Sequence, residues 1–112
     1  MSQDKRQHAR YDALNLLHFS VPSDQRPQMQ GMGRTLNVSH SGILLETHEP
    51  IESNQTIMLT IGLEDDLVVI QGETVYCKPA SAGCYITGIR FYQMADSPRQ
   101  VLERYIELFT HG

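Results

Sequence analysis

Residues 55–63 read QTIMLTIGL, with Ile57, Leu59 and Ile61 at every second place and Met58 and Thr60 between them. A period of two puts the first three on one face of an extended chain and the others on the opposite face. The stretch is rich in β-branched residues, so it reads as a strand with one buried side. The same alternation recurs on both sides of it. Leu17, Phe19 and Val21 alternate with His18 and Ser20 until Pro22 closes the run. Residues 24–31, DQRPQMQG, read as a loop, MGRTLNV at 32–38 as a second strand and GILLET at 42–47 as a third. Beyond the fourth strand, EDD at 64–66 is a turn. LVVIQGETVYCK at 67–78 is a fifth strand whose alternation slips near Gly72, the mark of a bulge. PASAG at 79–83 turns the chain into CYITGIRFY at 84–92, a sixth strand with Ile89 and Phe91 expected inward.

The end of the chain changes period. In SPRQVLERYIELF, Ser97 stands as an N-cap, Pro98 at the first helical position and Gln100 at the third, a capping box. Val101, Leu102, Tyr105, Ile106, Leu108 and Phe109 then recur at helical spacing as one apolar stripe. Six short strands followed by one helix predict a mainly β fold. It is a six-stranded antiparallel barrel with a C-terminal helix, at about residues 97–109, lying over one open end. Closure hides strand edges that would otherwise pair with other chains.

The chain has 112 residues, enough for one core and no second one. Trp is absent, so Leu, Ile and Val must build most of that core. The formal net charge of -4 argues against a surface that coats DNA or RNA. From Glu46 to Glu73 the acids Glu49, Glu52, Glu64, Asp65 and Asp66 intervene with no Lys or Arg among them. Lys5, Arg6 and Arg10 sit near the start, so a positive site can exist on a negative body. No apolar run approaches the ~20 residues of a membrane span, and the start lacks the apolar segment of a signal peptide. The expected setting is the cytoplasm, with no membrane insertion. Cys77 and Cys84 are too few for a disulfide framework, and their spacing is not a zinc signature. His8, His18, His40, His48 and His111 are scattered and read as surface residues, so no metal site and no cofactor are expected. No Ser-His-Asp order or convincing carboxylate pair appears, Asp65 and Asp66 being solvated charge in a turn, so no catalytic residues are assigned and the chain is not read as an enzyme.

Two further stretches carry the functional signal. DKRQHARYD at 4–12 sets Arg6 and Arg10 four places apart with no apolar stripe to bury, so residues 1–11 read as a flexible arm ahead of a barrel at 12–112. NVSHSG at 37–42 reads locally as a hairpin turn, with Asn37 and Ser39 bonding nearby backbone and Gly42 supplying a positive φ. Together, RQHAR and NVSHSG resemble the paired signature of PilZ domains, R-x-x-x-R and [D/N]-x-S-x-x-G. GILLET after the glycine, YITGIRF with its G-x-x-F ending and the last helix agree with that family. The resemblance runs from Lys5 to about Phe109. Asn37 stands where the family usually has Asp, exchanging a charged acceptor for a neutral one.

The resemblance implies a receptor for cyclic di-GMP, a bacterial second messenger, on a six-stranded barrel with a C-terminal helix. By motif position, Arg6 and Arg10 would bind its phosphates and guanine edges, with Asn37, Ser39 and Gly42 forming the opposite wall. Lys5 and Arg34 are further candidates, Lys5 at a position thought to influence whether one ligand molecule or a stacked pair is taken. The chemistry suits the ligand: a guanidinium offers a planar fork of donors to phosphate oxygens or to guanine O6 and N7, and its face can stack on a base. Ordering an arm residue costs ~1–2 kcal/mol in backbone entropy, so ligand-driven ordering is a natural switch that an unidentified downstream protein can read. The alternatives are a PilZ-fold interaction module that no longer needs the ligand, and an unrelated barrel for single-stranded RNA or DNA. The intact arginine pair disfavours the first, and the acidic stretch the second.

Overall fold

The alternating stretches pair into one continuous wall. The computed structural model describes residues 16–22, 29–63, 65–92 and 94–111. Its strands are β1 (Leu16–Val21), β2 (Met29–Val38), β3 (Gly42–Thr47), β4 (Thr56–Leu63), β5 (Asp66–Pro79) and β6 (Tyr85–Phe91). They close into a barrel in the order β1-β2-β3-β6-β5-β4, every neighbouring pair antiparallel. A short 3-10 turn (Ser81–Gly83) links β5 to β6, and α1 (Asp96–His111) follows. The segment read as an arm, with Lys5, Arg6 and Arg10, lies outside the described residues.

Period-two alternation becomes burial. Ile57, Leu59 and Ile61 on β4 are fully enclosed, as are Leu17 and Phe19 on β1 and Ile43 and Leu45 on β3. Each such side chain contributes about 1.5–3 kcal/mol relative to exposure. Ile89 is buried as expected, while Phe91 is partly buried against the core at the end of β6.

Several boundaries differ from the sequence reading. β2 begins at Met29 inside the expected loop, because Phe19, Ser20 and Val21 pair with Gly31, Gln30 and Met29. Backbone pairing with a neighbour overrides the polar, glycine-bearing composition there. Asp66 already belongs to β5 rather than to the turn. The slip in β5 falls between Thr74 and Tyr76, not at Gly72. Gly72 is buried in regular pairing, and a Cβ there would meet Ile89 Cγ2 at 2.7 Å and the Arg90 carbonyl at 2.9 Å. Close approach, not irregular backbone, explains that glycine. α1 starts one residue earlier than expected: the Arg99 N–H donates to the Ala95 carbonyl, which puts Ser97 inside the first turn instead of at the cap. Leu108, at the edge of the apolar stripe, is exposed.

α1 lies across one end of the barrel. Val101, Leu102 and Tyr105 enter the same core as the strand residues, with Ile106 and Phe109 packed alongside. Tyr105 reaches the inward face of β2, where its hydroxyl and Thr35 Oγ1 share a 2.8 Å hydrogen bond, and its ring stacks on Phe109 at 6.2 Å. Arg104 pairs with Asp66 at the start of β5. Among the described residues no helix is long and apolar enough to cross a membrane, and no three His, Cys, Asp or Glu converge as metal ligands.

Burial pushes the Tyr105 hydroxyl up to about 12, against a smaller downward pull from its bond to Thr35. In the unfolded chain a tyrosine ionises near pH 10, so across the interval from about 10 to 12 the folded protein keeps a proton that the unfolded chain loses. This contribution is whole below pH 10 and disappears as pH rises through 12. Tyr105→Phe should cost about 1 kcal/mol near neutral pH, leaving Thr35 Oγ1 without this partner. Urea denaturation between pH 9 and 12 should show a flatter decline in stability for the variant than for wild type.

Candidate functional site

A strand wall with one buried face sends every second residue outward, and two extra residues decide which ones go. Between Thr35 and Val38, β2 holds one residue more than β3: Thr35 pairs with Leu45, Asn37 with Leu44 and Val38 with Ile43, leaving Leu36 as a bulge. Thr35 and Val38 are both buried, so in the absence of the bulge Asn37 would share the inward face with Thr35. β5 repeats the device against β6. Thr74 pairs with Ile89, Tyr76 with Gly88 and Cys77 with Thr87, leaving Val75 unpaired.

The two bulges fall in the same row. Asn37, Leu44, Gly88 and Tyr76 stand side by side across β2, β3, β6 and β5. With neighbouring strands ~4.8 Å apart, the row is about 14 Å wide. It forms the floor and walls of a concavity of about 270 Å³, also lined by Ser39, Gly42 and Val75. Three of the motif residues expected from the sequence, Asn37, Ser39 and Gly42, therefore open on one recess.

Each is placed for a different reason. Asn37 is exposed, and its amide has no hydrogen-bond partner among the described residues, leaving a donor and an acceptor for a ligand edge. Ser39 shapes the turn: its N–H donates to the Gly42 carbonyl at 2.9 Å, and its Oγ accepts from the Ser41 N–H at 3.3 Å. The local bonding expected of Ser39 is present. Gly42 does not have the positive φ expected of it; among the described glycines only Gly83 does. A Cβ on Gly42 would instead strike the Ile89 carbonyl oxygen across the β3–β6 pair.

Arg34 points outward on β2, its Nε donating to Glu46 Oε1 at 3.0 Å. On the other flank, Arg90 donates to Glu73 Oε1 at 2.9 Å. Lys78 Nζ lies 5.9 Å from the centre of the Tyr76 ring. The recess thus has an amide at one wall, an aromatic ring at the other, an apolar floor and cations on both flanks. Such a surface suits a flat ligand with hydrogen-bonding edges and negative charge.

Sequence reasoning missed Tyr76 and Gly88. A Cβ on Gly88 would sit 2.5 Å from Tyr76 Cε2, so the missing side chain is what lets the ring lie down on β6. The usable signal was the slip of alternation in GETVYCK, which places Tyr76 outward once it is assigned to Val75.

The family model described as PilZ domain matches residues 4–108. Among solved structures, the PilZ domain of CeSA from a cellulose-synthesizing bacterium superposes with a TM-score of 0.58 at 12% identity, covering 86% of this chain and 94% of that one. None of the curated proteins matches the sequence.

The two floor glycines should respond differently to a methyl group. Gly42→Ala drives a Cβ into backbone and should lower stability by about 1–3 kcal/mol. Gly88→Ala meets first the Tyr76 ring, a side chain that can swing away, so its cost should be smaller while the ring moves. Chemical denaturation, with aromatic NMR shifts of Tyr76, checks both; equal stability losses would contradict this account.

Proposed function

The chain belongs to the PilZ domain family, and we propose that it acts in the bacterial cytoplasm as a cyclic di-GMP receptor whose Arg6 and Arg10 close the ligand against Asn37, Ser39 and Gly42. The family is one of cyclic di-GMP receptors. The observation that supports this chain's membership among ligand-binding members is the convergence of Asn37, Ser39 and Gly42 on one recess beside Tyr76.

Strand order supports the role given to the arginines. Leu16, the first residue of β1, pairs with Arg34, and β1 runs antiparallel to β2. β1 therefore starts toward the barrel end where β2 turns through Ser39 into β3. Asn37 is three residues beyond Arg34. The six residues from Arg10 to Leu16 reach at most ~20 Å, enough to bring Arg10 to the recess. Lys5 and Arg34 are further candidate contacts for the ligand's negative charge.

Division of labour follows from side-chain chemistry. The two guanidinium groups take phosphate oxygens and guanine acceptors, Asn37 faces a base edge, and the Tyr76 ring stacks on a base. Closing the arm costs backbone entropy of ~1–2 kcal/mol per residue, so binding and ordering are coupled. The ordered arm then presents a surface that a downstream protein reads. Binding and relay, with no bond made or broken, are the whole of the activity.

Titration calorimetry with cyclic di-GMP, using GTP and cyclic GMP as controls, tests the reading. Arg6→Ala and Arg10→Ala should each weaken binding by about 10–100-fold, and added salt should weaken the wild type. Tyr76→Ala should lose about 10-fold through lost stacking, whereas Tyr76→Phe should bind like wild type. Wild-type protein that ignores cyclic di-GMP at millimolar dose in low salt would leave the ligand-independent interaction module as the better account.

A further inference from the structure

We infer that Arg90 is an additional phosphate contact of this recess and that Glu73 is a built-in competitor which holds it in the free protein. The inference rests on the cyclic di-GMP reading and adds to it a residue pair on the strands themselves, outside both arginine and Asn-Ser-Gly motifs.

Register places Arg90 at the site. It lies directly across from Gly42 on β3 and two residues along β6 from Gly88, the floor glycine under Tyr76. Two residues of strand span about 7 Å, so a long side chain standing outward from Arg90 reaches the recess. Its neighbours along the same strand, Ile89 and Phe91, turn toward the core, which leaves the guanidinium on the ligand's side of the wall. The side chain is 68% exposed.

The pairing of Arg90 is of a kind that exchanges readily. One Nη donates to a single oxygen of Glu73 at 2.9 Å, and that is its bond among the described residues. A guanidinium carries five N–H donors, so most of its fork stays open to solvent. Exposed pairs of this sort contribute little to stability, while a phosphate offers a closer match to the fork than one carboxylate oxygen. Glu73 cancels much of the local positive potential until an anion with two or three oxygens arrives. The carboxylate therefore raises the ligand concentration at which the receptor fills.

Among the described residues Glu73 bonds, through its carboxylate, no second group that would obscure this. Its backbone pairs with Arg90 and with Thr56, and its side chain bonds Arg90. Changing it to glutamine keeps size and removes charge.

The experiment is a double-mutant cycle on the full chain, read by cyclic di-GMP titration at fixed low salt with thermal melts alongside. Glu73→Gln should tighten binding by about 2–5-fold, and Arg90→Ala should weaken it by about 5–10-fold. In the Arg90→Ala background, Glu73→Gln should give no tightening, because the freed guanidinium is missing. Glu73→Thr, a residue suited to strands, gives the same readout if the melts show that glutamine disturbs the fold. Tightening that persists without Arg90 would assign the effect to general loss of negative charge and overturn the inference. A Glu73→Gln protein that binds like wild type overturns it too, while leaving the receptor reading intact. Wild-type protein that takes up no cyclic di-GMP overturns the receptor reading and this inference together.

Discussion

The site depends on a constraint set inside the barrel. Thr35, Leu45 and Thr87 form one inward row, and Val38, Ile43, Ile89 and Thr74 form another. Between these two rows β3 and β6 have one outward residue each, while β2 and β5 have two. Core packing tolerates no slip on the inward side, so the surplus residues are expelled to the outside as bulges. Asn37 and Tyr76 face solvent from opposite walls because of this mismatch. A polar edge and an aromatic face thus end up in one row, separated by Leu44 and by Gly88, which has no side chain.

Glycines complete what the bulges start. Gly42 brings β3 against the backbone of β6 where the turn begins, and Gly88 leaves the space that the Tyr76 ring occupies. Any larger residue at either place would raise the floor of the recess. Around this apolar centre the Arg34–Glu46 and Arg90–Glu73 pairs lie on opposite sides, one row away in each direction. Each pair sets one cation against one carboxylate, so neither adds net charge to the surface there.

α1 and the start of β1 share one end of the barrel with the turn through Ser39. β6 ends beside Gly42, so the helix that follows has to start at that end. Tyr105 then fastens it to Thr35, one residue before the bulge at Leu36. Packing under the bulge backs the wall of the recess that carries Asn37.

By itself the sequence determined the strand count, the terminal helix and most of the core, because alternation and helical spacing are local records of which side each residue buries. Ile57, Leu59, Ile61, Val101, Leu102 and Tyr105 were legible for that reason. It also carried the family motif, since Asn37, Ser39 and Gly42 lie within one turn. Only the tertiary structure decided that Tyr76, Gly88 and Arg90 belong beside that turn. They come from strands far along the chain, and register between strands is set by how the whole core fills, which no local pattern encodes. The strand start at Met29 and the reason for Gly42 were hidden for the same cause: each depends on a backbone neighbour contributed by another strand.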